Sequence, residues 1–132
     1  MTHPKPQKRK GKKTTRQAAV RRADKAASSY VRAKTPYCEI CGSHENLTNG
    51  HVFSRAHYAT RWDEENMYTQ CVGCNLRHEY DPYPLMNYAR KILGDSKFEE
   101  MHQRFVQPTK LSTQEILDIA AHFEAKLAEL EK

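Results

Sequence analysis

All four thiols of the 132-residue chain fall in two pairs, Cys38-Glu39-Ile40-Cys41 and Cys71-Val72-Gly73-Cys74. A C-x-x-C turn aims two thiolates at one point, and two such turns supply the ligands of a closed tetrahedral zinc site. Redox dithiols or two disulfides are the alternatives, but close spacing with no cysteine left over suits a metal better than long-range staples. The 29 residues between the pairs contain His51, with Gly50 before it and Arg55 close behind. An imidazole with an ordinary pKa near 6.5 can accept a proton at neutral pH, which makes His51 a candidate general base. A lone histidine is more often structural. Two asparagines weigh against that here: Asn75 directly follows the second pair, and Asn66 lies on the approach to it.

These side chains need a frame. Residues 47–52 form a short strand candidate bent at Asn49-Gly50, and residues 66–71 alternate well enough for a second strand. Between them runs a loop rich in charge and aromatics. The second cysteine pair leads into a helix carrying Asn75, Leu76, His78 and Glu79, which Asp81-Pro82 stops. Strand, His51, loop, strand with Asn66, knuckle and helix make a small ββα unit that sets His51 across from the helix. The fold class is α+β.

The flanks divide the chain in three: a basic arm and helix at 1–35, the zinc-stapled core at 36–82, and a helical extension at 83–132. Residues 1–13 read as disordered until they meet phosphate. Thr14 or Thr15 caps a helix to about Lys34 with a stripe of Ala19, Val20, Ala23, Ala26, Ala27, Tyr30 and Val31. Such small side chains bury little area, so this helix is expected to dock marginally or to fold on DNA. Pro84 starts a helix closed by Gly94. Ser96 and Ser112 each open a capping box, S-x-x-E. The last helix carries Ile116, Ala120, Phe123, Leu127 and Leu130 on one face, to pack on its own domain or to form a homodimer seam.

The net charge of +6 hides +11 in residues 1–35 and −5 in the rest. The positive field belongs to the arm, and its natural partner is a nucleic acid. Arg16, Arg21, Arg22 and Lys25 are the candidate contacts on the helix. Mean hydropathy is −0.91, and no apolar run approaches the ~18–20 residues of a membrane span. A thin core makes a structural metal useful. The absence of an apolar leader and the availability of thiols for zinc point to the cytoplasm.

The order His51, Asn66, then Asn75 or His78 resembles the HNH, or ββα-metal, nuclease signature. The runs Asn49-Gly50-His51-Val52-Phe53-Ser54-Arg55, Arg61-Trp62-Asp63-Glu64-Glu65-Asn66 and Gln70-Cys71-Val72-Gly73-Cys74-Asn75 resemble the phage NinG/Rap recombination proteins over residues 37–80. The resemblance implies cleavage of a DNA phosphodiester, the substrates of that family being branched DNA such as Holliday junctions or D-loops. It implies His51 as general base, Asn66 as the residue that holds the loop and orients His51, and Asn75 as an oxygen ligand of Mg²⁺ or another divalent ion. His78 is a second ligand or a phosphate contact, or an exposed helix histidine. Arg55 and Arg61 would meet phosphates, and the compartment would be a bacterial host's cytoplasm. The chain departs from many HNH nucleases at Gly50, where they carry an acid or a histidine as a metal ligand. Asn49, Asp63 or Glu79 would then supply the missing oxygen, or waters and phosphate would complete the shell. A non-catalytic zinc-dependent nucleic-acid-binding module and a partner-binding adaptor are the competing classes.

Overall fold

The structure is a computed structural model and describes residues 14–132; the expectation for 1–13 lies outside the described residues. Helix α1 (Arg16–Lys34) starts where Thr15 Oγ1 accepts the Ala18 N–H at 3.1 Å. Strand β1 (Leu47–His51) follows the first cysteine knuckle. A short helix α2 (Tyr58–Arg61) and a 3₁₀ turn (Glu64–Asn66) fill the segment expected to be loop, and strand β2 (Met67–Cys71) follows. Helices α3 (Val72–His78), α4 (Tyr83–Leu93), α5 (Asp95–Phe105) and α6 (Thr113–Leu130) complete the chain. β1 and β2 are antiparallel, in a register that pairs Leu47 with Cys71 and His51 with Met67.

The alanine stripe of α1 is not loosely docked. Ala19, Ala23, Ala26, Ala27, Tyr30 and Val31 are buried in one cluster with Trp62, Met67, Ile116, Ala120 and Phe123. Methyl-sized side chains bury little area singly, but they let two helices approach closely, and α6 is the helix that approaches. Tyr30 and Phe123 meet with ring centroids 5.8 Å apart. The apolar face of α6 is therefore covered by α1, Leu127 packs against the same cluster and only Leu130 stays open to solvent. The face expected to pack on its own domain or to form a homodimer seam is thus occupied within the chain.

A second cluster joins Val52, Phe53 and Tyr68 to Leu85, Ala89, Phe98 and Met101 of α4 and α5. Phe53, two residues after His51, stacks on Phe105 at 4.8 Å and meets Phe98 at 5.6 Å. The two clusters flank the hairpin and hold it between the α1–α6 pair and the α4–α5 pair. The capping box at Ser112 forms in both directions. The one expected at Ser96 does not: α5 begins two residues before such a cap would start it, straight after Gly94, whose φ of +87° turns the chain sharply between α4 and α5.

Candidate active site and metal centre

Cys71 joins the scaffold to the site. It ends β2, and its Sγ accepts the Cys74 N–H at 3.4 Å, so the same atom caps α3 and points inward. Cys41 N–H meets Cys38 Sγ in the same way, also at 3.4 Å. The four sulfurs lie within 4.8 Å of one another, with Cys41 and Cys71 Sγ 3.7 Å apart. Zn–S bonds of about 2.3 Å give tetrahedral edges of about 3.8 Å, so this donor set fits a zinc-sized thiophilic dication. The thiols are free, not disulfide-bonded. Burial raises the Cys38 thiol, but main-chain N–H groups outweigh it and bring it down to about 7. Burial and the neighbouring sulfurs push Cys74 up. Four crowded thiols cannot all ionise alone; a dication would let them.

The first knuckle is tied to the hairpin by Glu39. Its N–H donates to Thr69 O at 2.9 Å, and its carboxylate accepts from Thr69 N–H at 3.0 Å and the Tyr88 hydroxyl at 2.8 Å. From Cys71, α3 runs back along the hairpin for about 10 Å at 1.5 Å per residue. That places Asn75 beside Thr48 and His78 beside Val52, so the end of α3 remote from the cysteines arrives at His51.

His51 is mostly buried, and its Nε2 lies 2.9 Å from the Arg61 carbonyl. A carbonyl only accepts, so Nε2 carries the proton and Nδ1 keeps its lone pair. Burial lowers the imidazole pKa to about 4; the Arg61 carbonyl opposes this, and the Arg55 and Arg61 charges add to it. His78 Nε2 donates to Val52 O at 3.0 Å in the same fashion, leaving its buried Nδ1 without a partner. Thr48 Oγ1 donates to Gln70 O at 2.8 Å. Its proton is thereby committed, so the contact with Asn75 at 3.0 Å must be a donation from Asn75 Nδ2, leaving Oδ1 free. His51, Asn75 and His78 line a cleft of about 450 Å³ together with Asn49, Ser54, Arg55, Leu76 and Glu79.

Asn66 is fully buried. Its Oδ1 accepts Phe53 N–H at 2.8 Å, and its Nδ2 donates to Phe53 O and Thr60 O, both at 3.0 Å. It closes the loop between the strands and fixes the peptide next to Arg61, whose carbonyl receives His51. It does not touch the cleft. Asp63 does not serve it either: both Nε and one terminal nitrogen of Arg104 hold Asp63 Oδ2, at 3.0 and 2.7 Å.

The expected phosphate contacts separate. Arg61 is not free, because Asp24 takes its Nε at 3.0 Å and a terminal nitrogen at 2.6 Å, and the Arg55 carbonyl takes the other at 2.9 Å. Asp24 also accepts Trp62 Nε1–H at 3.0 Å. Asp24 is the single acid of α1, and an isolated carboxylate in a basic, otherwise apolar-faced helix is the only mark it leaves in the sequence. Arg22 is held by Glu124 at 2.6 and 2.8 Å, and Arg16 donates to Leu111 O at 2.7 Å. Arg55 reaches Asp24 only at 3.4 Å and is well exposed. Arg21 is exposed on α1. Lys25 and Arg32 line a second cleft of about 590 Å³, which shares His51, Arg55 and Asn75 with the first. The two clefts meet at His51, with one wall from α1 and another from α3.

Among the described residues no helix is long and apolar enough to cross a membrane. The sequence model of the family described as bacteriophage lambda NinG protein matches residues 2–132. No curated protein and no solved structure matches the chain.

Proposed function

The chain belongs to the bacteriophage lambda NinG family, and we propose on that basis that it is a metal-dependent DNA endonuclease of the HNH type, acting on branched recombination intermediates. One observation carries the reading. His51, Asn75 and His78 line one cleft, and each has its donor tied to a fixed acceptor so that a bare N or O remains. Tying the second heteroatom of a ligand side chain is the usual way a protein orients metal ligands and bases. The orphaned Nδ1 of His78 and the free Oδ1 of Asn75 fit a divalent ion, with Glu79 as the carboxylate lining the same cleft.

When bound, that ion supplies charge stabilisation for the phosphorane-like transition state and the leaving 3′ oxygen. His51 Nδ1 draws the proton from the attacking water, and its Nε2–H, held by the Arg61 carbonyl, keeps the tautomer that leaves Nδ1 bare. The imidazole is neutral at pH 7, so the base is in its working form without prior deprotonation. Asn66 holds the loop on which that carbonyl sits. Arg55, exposed and only weakly engaged by Asp24, is placed to meet a phosphate oxygen. Lys25 and Arg32 extend the positive wall of the adjoining cleft along the DNA backbone. The cysteine site is closed by four thiolates and keeps the scaffold rather than performing chemistry.

The test compares wild type with His51→Ala on Holliday junctions, D-loops, flaps and linear duplex, in Mg²⁺, Mn²⁺ or Zn²⁺. Metal-dependent nicking that vanishes in the variant, while binding and zinc content persist, supports the reading. Equal cutting by both proteins overturns the role of His51. Binding without cutting by either leaves the zinc-dependent nucleic-acid-binding module as the function.

A further inference from the structure

Four buried side-chain atoms lack a hydrogen-bond partner among the described residues: Asn49 Oδ1, Thr60 Oγ1, Gln70 Oε1 and His78 Nδ1. The Gln70 oxygen is the least expected of them. Gln70 is 1% exposed, and an amide carbonyl stripped of water with no donor in reach costs free energy. Its position explains Gly50. A Cβ built on Gly50 would lie 1.9 Å from Gln70 Oε1 and 2.8 Å from its Cδ. A side chain at position 50 and the amide in this rotamer therefore exclude each other. The amide oxygen occupies the space a residue before His51 would fill.

Asn49 and His51, the residues on either side of Gly50, line the proposed ion cleft. Side chains alternate along a strand, so Thr48 and Gly50 share one face of β1, and Gln70 lies directly across from Thr48. α3 covers this face, because Asn75 reaches Thr48 Oγ1 and His78 reaches the Val52 carbonyl. Only the Thr48 hydroxyl separates Asn75 from the Gln70 main chain. Two unpartnered lone pairs, Gln70 Oε1 and His78 Nδ1, are thus buried under the same short helix. Asn49 stands on the opposite face, its amide nitrogen 3.2 Å from Met67 Sδ.

We propose that Gln70 is an oxygen ligand of the divalent ion, reaching the site from β2 through the gap that Gly50 leaves in β1. The inference rests on the ion-dependent reading above. Amide carbonyls are ordinary ligands for hard cations, and a neutral oxygen suits a cleft that already carries Glu79 and will receive a phosphate. It assigns Gly50 a role as well: the glycine is the opening, and the ligand comes from the neighbouring strand.

The experiment is a Mn²⁺ titration followed by electron paramagnetic resonance on the zinc-loaded full chain without DNA, for wild type, Gln70→Leu, Gln70→Glu, Asn75→Ala and His78→Ala. Gln70→Leu is expected to weaken Mn²⁺ binding by about tenfold or more, while zinc content stays at the wild-type level and the ion-free melting temperature holds or rises. Gln70→Glu is expected to tighten it. Wild-type affinity in Gln70→Leu, with weakening in Asn75→Ala or His78→Ala, overturns the ligand role of Gln70 and leaves the ion site standing. No Mn²⁺ site in wild type, or no change in any variant, removes the ion site and this inference together. If Gln70→Leu loses its zinc, Gln70→Glu decides: tighter binding supports the assignment, and unchanged binding overturns it.

Discussion

His51 donates from Nε2 to the main-chain carbonyl of Arg61 at 2.9 Å, and that carbonyl is held in place from α1. Asp24 grips the Arg61 guanidinium through two oxygens and takes the Trp62 indole N–H as well. The helix whose charge pattern is expected to meet a nucleic acid thus also helps set the tautomer of the candidate base. Asp24→Asn removes the charge and keeps the shape. With Arg61 only 13% exposed, the cost is expected at about 1–3 kcal/mol in denaturant melts. The Asp24 charge raises the His51 pKa, so an NMR titration is expected to find it lower still in the variant.

Acidification exposes His51 in another way. Its pKa falls from 6.5 to about 4 on folding, mainly through burial. Between those values the unfolded chain binds the proton and the folded chain does not, so stability rises with pH there. Above about pH 6.5 the effect is absent; as pH falls towards 4 the protein loses up to about 3 kcal/mol through this group. His51→Gln keeps a donor for the Arg61 carbonyl and cannot titrate. Urea melts from pH 7 to 4 are expected to show a shallower loss in the variant than in wild type. Parallel curves would place the His51 pKa near its ordinary value.

The cysteine ligands should not be equivalent. Cys71 is a ligand candidate, the last residue of β2 and the cap of α3, whereas Cys41 is exposed at the rim. Both serine variants are expected to lower zinc content below the ~1 per chain of wild type. Cys71→Ser is expected to melt at the lower temperature of the two and to lose more helical signal, because β2 and α3 part with the metal. Circular dichroism with zinc analysis checks this.

The basic residues of α1 divide by where the fold spends them. Lys25 and Arg32 face the cleft that contains His51, and Arg22 is paired with Glu124. Lys25→Ala and Arg32→Ala are each expected to flatten the log-log salt dependence of DNA binding by about one. Arg22→Ala is expected to change it little. Equal effects at all three positions would mean a diffuse field instead of a defined groove.

What the sequence makes legible here is what spacing and local chemistry carry. The two C-x-x-C turns, the order of strands around His51, and the helix that Cys71 caps are all local. The docking of α1 is not, since an alanine stripe looks weak until α6 is found packed against it. The same holds for Arg61, which reads as a phosphate contact because its partner Asp24 lies 37 residues away. Ser96 and Glu99 spell a capping box, but the turn at Gly94 lets α5 begin before them. Gln70 reads only as the first residue of the run Gln70-Cys71-Val72-Gly73-Cys74-Asn75, with nothing local to give it a role. Its meaning depends on a glycine in the facing strand.

That pair gives the sharpest prediction for stability. Gly50→Ala places a methyl 1.9 Å from Gln70 Oε1, well inside any contact a real Cβ makes. Gln70 is fully buried on β2, so it cannot swing away without opening the face under α3. Overpacking of this kind costs about 1–3 kcal/mol. Gln70→Ala alone removes an unpartnered oxygen but leaves a cavity, two effects of opposite sign. In the double variant Gly50→Ala/Gln70→Ala the new methyl enters the space the amide vacates. The double variant is therefore expected to be more stable than the sum of the two single losses, by about 1 kcal/mol or more. Strict additivity in denaturant melts would show that the two positions do not compete for one space, and that glycine at position 50 answers to something other than Gln70.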